Sequence, residues 1–82
     1  MGRKNVMRSN ELAALVLSAL RARPHCENVL KVTVEPCREP HPITGAYWAP
    51  ALANPGRSGV ETCRRELWRV CKELGRAYEL AP

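Results

Sequence analysis

The chain contains no aspartate. A Ser-His-Asp arrangement is therefore excluded, and a glutamate would have to orient any catalytic histidine. No C-x-x-C pair, glycine-rich phosphate loop, dinucleotide-binding glycine pattern or metalloprotease motif appears. Aromatic side chains are scarce, at 5% of the chain, with no phenylalanine. Long apolar runs are missing too. Residues 12–20 (LAALVLSAL) come nearest, but they are too short to span a bilayer. They lead directly into Arg21, Ala22 and Arg23 without a small-residue cleavage site, so they predict a buried helix rather than a secretory signal. The expectation is a cytoplasmic protein with no membrane partner, whose four cysteines are reduced thiols.

What is there is a basic chain of 82 residues with net charge +5, 45% hydrophobic and 26% charged. That composition is ordinary for a folded domain. A single core of this size leaves a net stability of only about 3–5 kcal/mol and little room for a catalytic cleft. It also favours stabilisation by self-association. The charge is uneven. Residues 1–23 hold Arg3, Lys4, Arg8, Arg21 and Arg23 against Glu11 alone, whereas residues 24–59 are balanced. Residues 60–82 hold five cations against four glutamates.

Local patterning predicts the order α–β–β–α. Residues 1–8 read as a disordered basic tail and residues 9–80 as one small α+β domain. Ser9 or Asn10 can cap a helix carrying Leu12, Leu15, Val16, Ala19 and Leu20, which Pro24 ends. Val29–Glu35 alternates, with Leu30, Val32 and Val34 on one face. A stiff loop with three prolines follows over residues 36–44. Gly45–Ala49 reads as a short second strand, with Trp48 inward, Tyr47 outward and Pro50 marking an edge or an end. Ser58 and Glu61 have capping-box spacing at the head of a long helix that continues to Tyr78. Two helices on a hairpin form the expected fold. Pairing of hairpin edges from two copies would give a four-stranded sheet.

The long helix carries the main candidate for function. Arg65, Arg69, Lys72 and Arg76 share one face, and Cys63, Leu67, Val70, Cys71, Leu74 and Tyr78 share the other. Trp68 flanks the stripe and could stack on a base or anchor an interface. Glutamates at helical contact spacing dilute the potential: Glu61 for Arg65, Glu66 and Glu73 for Arg69, and Glu73 for Arg76. Only Lys72 has none.

Chemistry elsewhere is thin. His25 and Cys26 lie at one end of the first strand and Cys37 and His41 at the other, which works against a shared zinc site. Cys26 and Cys37 are the candidates for a reactive thiol, each with a histidine nearby in sequence.

Gly45, Trp48, the turn with Pro55 and Gly56, and the closing Tyr78–Glu79–Leu80 resemble a pattern in small uncharacterised bacterial proteins. There a G-x-x-W strand precedes a C-terminal helix ending in Tyr-acid-Leu. The resemblance covers about the last 38 residues. It implies a compact bacterial protein whose last helix packs on the hairpin, and no activity.

Together these features predict a non-enzymatic binding or accessory module without metal or cofactor. It would act through protein–protein contacts, including a homodimer. The alternative is a nucleic-acid binder using the basic tail and the helix stripe. The candidate contact residues are Arg65, Trp68, Arg69, Lys72, Arg76 and Tyr47.

Overall fold

The structure, a computed structural model, describes residues 4–81. It is an α+β fold of two helices, an antiparallel hairpin and a small parallel sheet. The elements run β1 (Asn5–Met7), α1 (Ser9–Arg21), β2 (Lys31–Pro36), β3 (Trp48–Asn54), α2 (Val60–Ala77) and β4 (Tyr78–Leu80). The α–β–β–α order is present, with a short strand added at each end.

Those end strands correct the sequence reading. Val6 pairs with Glu79 and Met7 with Leu80 in a parallel ladder, and the Ala81 N–H donates to the Met7 carbonyl at 2.8 Å. Part of the expected disordered tail is thus a strand, while residues 1–3 lie outside the described residues. The same pairing ends α2 at Ala77, because Tyr78 adopts an extended conformation.

Helix starts differ from expectation as well. The N-cap of α1 is Arg8, and that of α2 is Gly59; neither makes a side-chain capping bond. The predicted Ser58–Glu61 capping box does not form. Ser58 Oγ is instead buried without a hydrogen-bond partner among the described residues.

β2 and β3 pair from Pro36–Trp48 to Lys31–Asn54. The second strand therefore starts later and runs longer than expected, through Pro50. Cys37 N–H donates to the Tyr47 carbonyl at 2.9 Å, which makes that pair hydrogen-bonded. Alternation then leaves Val34–Pro50 a non-hydrogen-bonded pair. Pro50 fits there because its missing N–H faces away from β2. An extra residue on β3 shifts the register between Lys31 and Val32. Beyond it the chain turns Val29 into the core and leaves Leu30 60% exposed, contrary to strict alternation.

The core comprises Leu12, Val16 and Leu20 from α1, Val32 and Val34 from β2, Trp48 from β3, and Cys63, Leu67 and Cys71 from α2. Trp48 is fully buried, and its indole N–H donates to the Tyr78 carbonyl at 3.1 Å. The Tyr47 N–H donates to the Glu79 carboxylate at 2.9 Å. These two bonds join the start of β3 to β4, so the two sheets meet along a seam made by side chains.

Cys26 and Cys63 form a disulfide, with Cα atoms 5.6 Å apart. This corrects the expectation of four reduced thiols. The bond ties the turn after α1 to the first turns of α2, and both residues are fully buried. Cys37 and Cys71 are free. Among the described residues, no helix is long and apolar enough to cross a membrane.

Candidate basic interface

The outer face of α2 begins with helical periodicity. Cys63, Leu67, Val70, Cys71 and Gly75 are buried, which leaves Arg65, Arg69, Lys72 and Arg76 exposed along the opposite side. At 1.5 Å per residue the stripe runs about 16 Å.

Tertiary contacts change the electrostatics expected from helical spacing. Glu73 pairs with Arg23, beyond the end of α1, at 3.8 Å. Only Glu66–Arg69 forms within the helix, at 3.2 Å. The predicted Glu61–Arg65, Glu73–Arg69 and Glu73–Arg76 pairs are not made. Among the described residues, Arg65, Lys72 and Arg76 have no carboxylate within ion-pair distance.

Lys72 and Arg76 form a ridge between two shallow depressions. One, of about 330 Å³, is lined by Arg23, Arg69 and Glu73 together with the ridge. The other, of about 430 Å³, is bounded by Lys4, residues 42–45 and Gly75. Lys4 pairs with Glu79 at 3.7 Å. Cations from both ends of the N-terminal segment thus reach the stripe, an arrangement that their sequence separation hides.

The loop over residues 37–47 walls the second depression. Its shape comes from local hydrogen bonds: Gly45 N–H to the His41 carbonyl at 2.8 Å, and His41 N–H to the Ala46 carbonyl at 2.9 Å. Buried Thr44 donates its hydroxyl to the Trp48 carbonyl at 2.9 Å. His41 stacks on Trp68, with ring centroids 5.0 Å apart and planes 12° from parallel. One face of Trp68 is therefore covered, and the ring is half-buried rather than free between cations.

Tyr47 is 50% exposed, as predicted, and Trp48 is the inward ring. Tyr47 belongs to a different patch from the stripe. Its N–H is held by Glu79, which also pairs with Lys4.

The remaining candidates separate. Cys26 is consumed by its bond to Cys63, so it holds no thiolate while that bond stands. Burial pushes the Cys71 thiol up from near 9 to about 12, which keeps it protonated at neutral pH. Among the described residues no three His, Cys, Asp or Glu side chains gather as a metal set. Comparison with known proteins finds no matching family model, no similar curated protein and no similar solved structure.

Proposed function

We propose that this protein is a small non-enzymatic binding module whose α2 ridge takes a nucleic-acid backbone. The observation that carries this reading is the convergence of Lys4 and Arg23 on Arg69, Lys72 and Arg76. With Arg65, the face holds six cations against Glu66, Glu73 and Glu79. Lys72 and Arg76, which line both depressions, have no acidic partner among the described residues, and neither has Arg65. A stripe of about 16 Å matches the rise of about five base pairs, which suits phosphate contacts that position without reading sequence. The His41 cover on Trp68 argues against base stacking as the main contact.

The test is binding of labelled duplex and single-stranded nucleic acid as a function of salt. Three or four phosphate contacts give a slope of log affinity against log salt of about −3. Replacing Lys72 and Arg76 together by alanine reduces that slope by about 2 and weakens binding to all sequences alike. Absence of binding at low ionic strength overturns the reading.

Protein–protein contact is the second reading. Exposed Val6, Ile43 and Tyr47 favour it, at 64%, 41% and 50% exposure. Replacing Tyr47 by alanine would weaken such a contact and leave nucleic-acid affinity unchanged. A cytoplasmic setting is compatible with the disulfide through its burial, since exchange with cellular thiols requires access to sulfur.

A further inference from the structure

The hairpin has two outer edges, and they are built differently. Along β3 the outward-facing backbone positions are 48, 50 and 52, by the alternation set at Cys37–Tyr47. Pro50 removes the central donor from that edge, and β4 meets its beginning. The β3 edge is therefore blunted. Along β2 the outward positions are Val32 and Val34, which keep both N–H and C=O groups. Among the described residues, β2 pairs with β3 alone. No proline or inward charge protects its centre. Its ends are limited by Pro36, which has no donor, and by the register shift beside Lys31.

We infer that the β2 edge is a homodimer interface, in which β2 pairs antiparallel with the β2 of a second copy about a twofold axis at Thr33. The sequence of this strand is self-complementary in that register. Val32 faces Val34 of the other copy in hydrogen-bonded pairs, giving about four new backbone bonds. Thr33 meets its own counterpart in a close, non-hydrogen-bonded pair. Lys31 meets Glu35 of the other copy, twice. Lys31 and Glu35 are both exposed, and neither has an ion-pair partner among the described residues of its own chain. Opposite charges and threonine pairs directly across strands are favourable, and a twofold contact uses each of them twice.

Shifting the axis loses this match. Centred on Val34, the pairing sets Pro36 opposite Val32 and loses a hydrogen bond. Centred on Val32, it leaves Glu35 facing Val29. The groove beside the edge is consistent with an incoming chain. It is lined by Ser9, Asn10 and Ala13 of α1 together with residues 31–34 and has a volume of about 360 Å³. Ala13 and, one turn on, Leu17 are half-buried, so the α1 of a second copy would cover them.

The experiment is sedimentation equilibrium of the full chain at concentrations up to about 1 mM, where even weak contacts populate a complex. The expected result is a dimer. Lys31→Glu and Glu35→Lys each set like charges opposite one another at both ends of the paired strands and weaken the dimer at least about tenfold. The double variant Lys31→Glu/Glu35→Lys restores it. Both positions are exposed, and circular dichroism verifies that each variant is folded. A wild-type chain that stays monomeric overturns the inference. A dimer indifferent to both single reversals overturns it too, because it uses another face.

Discussion

The backbone carbonyl of Thr44 lies where a Cβ on Gly75 would be. The loop that walls the basic face therefore rests directly on α2, and only glycine permits the approach. Helical propensity alone treats Gly75 as a weakness of about 1 kcal/mol relative to alanine. The tertiary contact reverses the sign. Gly75→Ala would push the loop outward, with Thr44 and its bond to Trp48.

The expected outcome for Gly75→Ala is a net loss of about 2 kcal/mol, the overpacking cost exceeding the propensity gain. In a domain of this size that lowers the melting temperature by about 10 °C. Thermal denaturation followed by circular dichroism measures it. A melting temperature equal to or above wild type would show that the loop yields without cost.

Ser58 separates two accounts of the start of α2. A working capping box makes Ser58→Ala cost about 1 kcal/mol. In the fold its hydroxyl is buried without a partner, and Gly59 occupies the cap position. Removing an unsatisfied hydroxyl relieves a desolvation penalty. Urea denaturation is expected to give Ser58→Ala a stability equal to or above wild type.

The Cys26–Cys63 bond closes a loop with a sequence separation of 37 residues. Chain entropy assigns such a loop about 4 kcal/mol of stabilisation. That is comparable to the whole net stability of about 3–5 kcal/mol available to a core this size. Melting with and without reductant is expected to show a large loss of stability on reduction. The double variant Cys26→Ala/Cys63→Ala should melt low in either buffer, independent of reductant.

Cys71 makes stability fall in alkali. Its thiol is raised by burial from near 9 to about 12, so the folded chain holds the proton longer than the unfolded one. The unfolded state binds fewer protons above pH 9, and the stabilising contribution is lost as pH rises from about 9 to about 12. Cys71→Ala should flatten that part of the pH profile, after allowance for its cavity cost near neutral pH. Alkylation at pH 7.5, about neutral, should label Cys37 in the native chain and leave Cys71 unmodified until denaturant is added.

The sequence by itself determined the elements whose patterns repeat locally. The apolar positions of α1 and α2 recur at the helical period, and Val32 and Val34 alternate, because backbone geometry sends side chains to faces at fixed intervals. The same logic set Tyr47 and Trp48 on opposite faces, with packing against β4 burying Trp48, and it set the four-cation stripe on the outer face of α2. Only the tertiary structure decided the rest. Asn5–Met7 and Tyr78–Leu80 are too short to show a period, and each is a strand because the other lies beside it. The register shift at Lys31 exchanged Val29 for Leu30 in the core. Cys26 met Cys63, and Glu73 turned from its helix neighbours to Arg23. Lys4 reached the far side of the Lys72–Arg76 ridge. These pairs are distant along the chain, so packing of whole elements brought them together, and no local spacing records it.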